Sequence, residues 1–405
     1  MGGNVRLLIA AFVLTRVVLG GAAIASTGVY ERIPTDTTLY ARYAEEWVGQ
    51  GLAPYSEVDI EYPPVLLPFL AAPELLPDLP YRAVWVPLMF AVDAAGLVAV
   101  LRLGRRWGSI AGCWWWVGLF ALLGPLVYTR YDLIPAVAAV WSLERAAAGR
   151  PAAQGAWLAV GALAKLWPGL LVPAALAWTR RPWRLIAGGA LVTAAVLAPF
   201  ARALPDLAAD VLGFHLARGI QVESLWANGL LLAARAGYQV EVVRNYGAAH
   251  LGSGVSGLLK ALSSALTLGA VLASAGWARR RLAPDDARGL AALTFALVAV
   301  LLVVGSVLSP QFLIWVAALG AASQADPDSP LRTAVPWLAP AAALNHLLFP
   351  ALYTPLVRQF DGTAISVLSA RNLLLVAVAA LAVRGVIAGA RRPTTTGEEH
   401  ELPNA

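Results

Sequence analysis

Long apolar runs, broken at short intervals by arginines, prolines and glycines, dominate this chain. Runs at residues 5–25, 82–101, 109–127, 183–199, 254–277, 288–304, 334–348 and 366–383 reach or approach the about 20 residues that a membrane-crossing helix needs. Four shorter runs, at 131–143, 155–165, 167–178 and 310–322, fall short of that length. A piece of about a dozen residues rising 1.5 Å each does not cross about 30 Å of hydrocarbon, so these read as broken or re-entrant helices buried by their neighbours. The pattern predicts an all-α polytopic membrane protein with roughly 10 to 12 transmembrane or partly spanning helices. It forms a single domain over residues 1–390, followed by a short polar tail, 391–405, expected to be disordered and cytoplasmic. The first run has no short signal-peptide core or cleavage site and reads as an uncleaved span.

Positive charge assigns the sides. Arginines gather at 102, 105 and 106, at 145 and 150, at 180, 181 and 184, at 279–281, and at 391 and 392. All can face the cytoplasm if the first span starts inside, if residues 62–79 lie along the surface without crossing, and if the pieces flanking 165–168 go out and back. Both termini are then cytoplasmic and the protein is a multi-pass plasma-membrane protein. The outer segments are residues 28–81, a first outer loop with interfacial helices, then 128–131, 165–168, a second large loop at 201–252, 305–309 and 349–363.

Composition agrees with this and closes other routes. Hydrophobic residues make up 59% of the chain and charged ones 13%, far from a soluble domain. The formal net charge of +6 lies in the topogenic arginine groups, so it does not argue for nucleic acid. A single cysteine, Cys113, excludes an intramolecular disulfide. Walker loops, dinucleotide fingerprints, HExxH and Cys/His clusters are absent from the sequence, and its four scattered histidines do not predict a metal site. No strong internal repeat supports inverted halves. Arg16 interrupts the first run midway; pairing with an acidic group and a role near a substrate headgroup are both open.

Polar chemistry collects in the outer set. The stretch TDTTLYARYAEEWVGQGLAPYSEVDIEYPP, residues 35–64, carries six carboxylates between apolar runs. Asp36 precedes a helical pattern whose Leu39, Tyr40, Tyr43 and Trp47 share a face, so it reads as a helix cap, and a carboxylate so placed can still accept a proton. Glu45 and Glu46 read as solvated. Tyr62-Pro63-Pro64 is stiff and holds Glu61 at a fixed height. Arg130 and Lys165 sit at outer helix ends. Pairing with Asp132 and a snorkelling lysine is one reading; a phosphate clamp, with Arg218 as a third contributor, is the other. His215 and Glu223 fall in the second large loop, and Gln311 begins the late run that follows the outer segment 305–309.

The strings DTTLYARYA, GLAPY, EYPP, YTRYDLIP, KLWPGLLVP, GIQVESLW and LSPQFLIW, in that order from Asp36 to Trp315, are similar to those of glycosyltransferase family 87. These are polyprenol-phosphate-mannose-dependent α-(1-2) mannosyltransferase-like membrane proteins of the GT-C superfamily. The resemblance implies a GT-C fold and an inverting transferase moving a hexose, mannose first, from a polyprenyl monophosphate to a hydroxyl of a glycolipid or glycan outside the membrane. It implies Asp36 as the catalytic base. Arg130, Lys165 and Arg218 are then assigned to the donor phosphate, and Glu61, Tyr62, Asp132, His215, Glu223 and Gln311 to sugar, acceptor or network contacts. No cofactor is required on this reading, which leaves room for a divalent metal. The expected partners are the lipid-linked sugar, the acceptor and membrane lipids, with no nucleic acid. A lipid-linked sugar flippase and a non-catalytic envelope assembly protein are the alternatives.

Overall fold

The computed structural model describes residues 2–25 and 36–389, with the side chains of residues 2–4 left aside. The tail at 391–405 and the beginning of the first outer loop, 28–35, lie outside the described residues. Helix α1 (Gly2–Ala25) is followed by α2 (Asp36–Ala44), the short apolar α3 (Pro64–Leu75) and α4 (Tyr81–Trp107). Next come α5 (Ala111–Leu123), α6 (Leu133–Ala147), α7 (Pro151–Ala162), α8 (Trp167–Trp178) and α9 (Pro182–Phe200). Strand β1 (Ile220–Gln221), α10 (Leu225–Arg235), β2 (Glu241–Asn245) and β3 (Ala248–Gly252) make a small unit. The chain then runs through α11 (Ser256–Arg281), α12 (Ala287–Val304), α13 (Pro310–Ser323), α14 (Val335–Gln359) and α15 (Gly362–Gly389).

Seven of these helices among the described residues are long and apolar enough to cross a membrane: α1 from Val5, α4, α9, α11, α12, α14 and α15. This corrects the expectation of roughly 10 to 12 spanning or partly spanning helices. The reason is length. The run at 109–127 is cut to 13 helical residues because Gly124, with φ 74°, ends α5 at Leu123. Helices α6 and α7, at 15 and 12 residues, reach only about 20 Å. These short helices sit within protein instead: every residue of α13 from Leu313 to Ser323 is buried.

The expectation of an all-α chain holds for the membrane part but misses a three-stranded antiparallel sheet of order β1-β3-β2 within residues 201–252. Tyr246 (φ 49°) and Gly247 (φ 65°) form the two-residue turn between β2 and β3, the positive-φ pair that a tight hairpin requires.

Lipid leaves helices little hydrophobic reason to associate, so close contact between backbones counts for more. It is clearest where α7 crosses α9. A Cβ on Gly155 would lie 1.9 Å from the Leu185 carbonyl oxygen, and one on Gly188 would lie 1.9 Å from that of Ala152. Helix α9 is peripheral, with only 6% of its apolar window buried, whereas α12 is central with 67%.

Arg16 is resolved as a structural residue. Its Nε donates to Asp93 Oδ2 on α4 at 2.8 Å, and Trp116 Nε1 donates to Asp93 Oδ1 at 2.6 Å. With both charges almost fully buried, this pair ties α1 to α4 and α5.

Candidate active site

The cavity begins where α6 and α7 come close. Arg130 is extended (φ −126°, ψ 145°) between a short turn of helix, Leu126–Thr129, and Asp132 at the start of α6. Arg130 turns toward Asp36, and its Nη1 forms an ion pair with Asp36 Oδ1. Asp132, fully buried, accepts instead from Lys165 Nζ at 2.7 Å and from Trp315 Nε1 at 2.8 Å. Lys165 is no snorkelling lysine. Only 8% exposed, it lies 4.6 Å from the Tyr131 ring centroid, 4.9 Å from Phe312 and 5.3 Å from Trp315.

Asp36 is the first residue of α2, and its side chain is 29% exposed. The Tyr40 hydroxyl approaches its Oδ2 at 3.5 Å. The aromatic face of α2 rests on protein and not on lipid, since Tyr40 packs against Tyr62, Trp85 and Tyr131. Tyr62 joins this cluster at 5.0 Å from Tyr131, and its backbone carbonyl accepts from the Tyr55 hydroxyl at 2.8 Å. The Pro54-Tyr55 turn is thereby tied to the stiff Tyr62-Pro63-Pro64 segment.

One cavity of about 440 Å³ is lined by Asp36, Glu61, Tyr62, Arg130, Lys165, His215, Arg218, Glu223 and Gln311. Nine of the ten singled-out residues thus share one space. Asp132 does not line it and stands behind Lys165 as its carboxylate partner.

Electrostatics favour an anionic guest. The Nε atoms of Arg130 and Arg218 are buried donors without an acceptor. Burial pulls the Arg130 guanidinium down to about 10, against the raising influence of Asp132. Burial likewise lowers Arg218 and Lys165, opposed by Glu61 and Asp132 respectively. His215 is pushed down to about 4 by burial and then by the charges of Lys165 and Arg218. Burial raises the Glu61 carboxyl, offset in part by a hydrogen bond from Tyr62 and by Arg218. Among the described residues, no cluster of three or more His, Cys, Asp and Glu side chains is placed to hold a metal ion.

Glu223 follows β1 and is fully buried. Its Oε2 accepts from Arg371 Nη1 at 2.7 Å, and its backbone carbonyl accepts from Arg371 Nη2 at 2.7 Å. Its Oε1 has no partner and belongs to the cavity wall residue. Arg371 was missed in the sequence, although a lone arginine inside an apolar run is itself a signal. Arg244, Asn245 and Tyr246 of the hairpin also line the cavity and were missed with the sheet that carries them; the Asn-Tyr-Gly turn was the available cue. Phe349 and Tyr353 of α14 complete an aromatic wall, and the Arg130 guanidinium lies 5.7 Å from the Phe349 centroid.

ArnT from Cupriavidus metallidurans bound to undecaprenyl phosphate, a crystal structure, is similar at 16% identity and a TM-score of 0.48, over 95% of this chain and 78% of that one. No curated protein matches the sequence. The sequence profile of glycosyltransferase family 87 matches residues 61–310, which is more than half of the chain. The chain is a multi-pass membrane protein and belongs to glycosyltransferase family 87.

Proposed function

We propose that this membrane glycosyltransferase transfers a hexose, mannose in the first instance, from a polyprenyl monophosphate to a hydroxyl of a glycolipid or glycan, with inversion. The observation that carries the reading is a single cavity in which the Asp36 carboxylate faces the cations of Arg130, Lys165 and Arg218. The donor phosphate supplies the acceptor that Arg130 Nε and Arg218 Nε lack. In taking Arg130 it competes with Asp36 for the same guanidinium, and so frees the carboxylate for the acceptor hydroxyl.

The acceptor oxygen attacks the anomeric carbon from the face opposite the phosphate. Its proton passes to Asp36, and the anomeric C–O bond breaks with its electron pair leaving on the polyprenyl phosphate. Cations around that phosphate stabilise the departing charge, so no separate acid is needed. Inversion turns a β-linked donor into an α-linked product. Glu223 is held by Arg371 through Oε2, which leaves its Oε1 without a donor and suited to a sugar hydroxyl, and neutral His215 and Gln311 add further polar contacts. With the arginine-rich helix ends in the cytoplasm, the cavity opens on the outer face.

The test uses membranes containing the protein, radiolabelled polyprenyl-phosphate sugars and lipid acceptors. Asp36→Asn is expected to reduce transfer by about 100-fold or more at matched protein level. Undiminished transfer in that variant would remove Asp36 as the base. Donor crossing a proteoliposome bilayer without covalent transfer would replace the enzyme reading by a transporter.

A further inference from the structure

Helices α6, α7 and α8 share two ends. At one end they deliver Asp132 and Lys165 to the transfer cavity; at the other they border a second cavity of about 300 Å³. The 12 residues of α7 separate the two by about 20 Å. Gly149, Arg150 and Gln154 line it from the α6–α7 side, and Trp178, Arg180 and Arg181 from the α8–α9 side. Three guanidinium groups meet one carboxylate there, Asp285, 3.5 Å from Arg180 Nε. The side chains of Arg150 and Arg181 meet no carboxylate among the described residues. The amino-terminal end of α7 adds its dipole, with Pro151 in the cavity wall.

Two buried side chains in this wall are unfinished. Gln154 is 1% exposed and its Oε1 has no partner; Trp178 is 5% exposed and its Nε1 has none. Buried polar atoms are ordinarily paired, and here an unpaired donor and an unpaired acceptor border the same arginine-rimmed cavity. A guest that both accepts and donates would satisfy them together. We propose that this cavity binds a phosphate ester carrying a free hydroxyl, the chemistry of a phosphoglycerol headgroup. Phosphate oxygens accept from Arg150, Arg181 and the Trp178 indole N–H, while the hydroxyl donates to Gln154 Oε1. A membrane phospholipid or a soluble glycerol phosphate can present this group, and the experiment separates the two.

Full-length protein in neutral detergent is titrated with dioctanoyl phosphatidylglycerol, dioctanoyl phosphatidylcholine and sn-glycerol 3-phosphate, with binding followed by thermophoresis. Phosphatidylglycerol is expected to bind about tenfold more tightly than phosphatidylcholine. The double variant Arg150→Gln/Arg181→Gln should erase that preference. Trp178→Phe, which removes one N–H at constant charge, should weaken phosphatidylglycerol by about threefold to tenfold. Glycerol 3-phosphate binding at comparable affinity with the same variant pattern would keep the site and assign it to the soluble ester. Equal binding of the two lipids by the wild-type protein overturns the proposal. So does a Trp178→Phe variant that matches wild type while the arginine variant does not, because surface charge alone then accounts for the preference. Melting temperatures report whether each variant is folded, and Gln154→Leu replaces Trp178→Phe if the latter is not.

Discussion

Replacing Lys165 by methionine separates structure from chemistry at the base of the cavity. In the folded protein Asp132 is fully buried, and Lys165 and the Trp315 indole are its two partners, at 2.7 and 2.8 Å, while its Oδ2 has none. Lys165→Met leaves a buried carboxylate with a single hydrogen bond, an uncompensated charge that costs about 3–5 kcal/mol. Asp132→Asn leaves an ammonium group that still faces three aromatic rings, which offset part of the loss, so about 2 kcal/mol is expected. The double variant Lys165→Met/Asp132→Asn removes both charges at nearly constant volume and should return to within about 1 kcal/mol of wild type. Tryptophan fluorescence during unfolding in mixed micelles measures these differences, and the coupling between the two sites should be at least about 3 kcal/mol. Transfer behaves differently. If Lys165 also holds the donor phosphate, both Lys165→Met and the double variant raise the donor KM by about 10- to 100-fold, the worth of a charge-assisted hydrogen bond. A Lys165→Met variant as stable as wild type would refute the buried pair. A double variant that regains full transfer together with stability would leave Lys165 a scaffold residue only.

Other perturbations test separate links. Arg244→Gln should raise the donor KM by roughly threefold to tenfold with no measurable loss of stability, because Arg244 lines the cavity from an exposed strand; steady-state kinetics and a melting curve check it together. Gly155→Val should prevent accumulation of folded protein, since even a Cβ would sit 1.9 Å from the Leu185 carbonyl oxygen, whereas Gly118→Ala, with open space at its Cβ, should express normally. His215 and His250 are both pushed down to about 4 from 6.5, so between those pH values the unfolded chain binds protons that the folded chain does not. Stability therefore falls as pH is lowered through that window, and replacing both histidines by asparagine should flatten the slope by up to about 1.4 kcal/mol per pH unit for each.

Hydrophobic run length conveyed the long helices well. Seven of the eight long runs correspond to seven long helices, and the exception, 109–127, contained its own stop in Gly124-Pro125. The residues of the site were legible because charges in an apolar chain are few, but their pairing was not. Adjacency in sequence suggested Arg130 with Asp132; instead Arg130 pairs with Asp36, and Asp132 with Lys165, 33 positions away. Glu223 and Arg371 are 148 positions apart, and no local pattern joins them. The hairpin bearing Arg244 is amphipathic only weakly, with β2 exposed along most of its length, so its alternation gives little signal.

The shortfall in spanning helices and the existence of the cavity have one cause. A helix that crosses the whole membrane has its polar termini at the two surfaces, and only side chains along its length can line an interior site. Helices α6, α7, α8 and α13 stop early, so their ends, where backbone polarity and charged residues are tolerated, fall within the protein. Those ends carry Asp132, Lys165 and the Ser309-Pro310-Gln311 turn, and the long helices around them supply the lipid-facing wall. Lengthening one short helix by a turn would displace its terminal charge by about 5 Å, more than a hydrogen bond can span. The same half-length helices place the arginine-rimmed cavity at their opposite ends, so two anion-attracting spaces on one polypeptide arise from a single departure from full-length spanning.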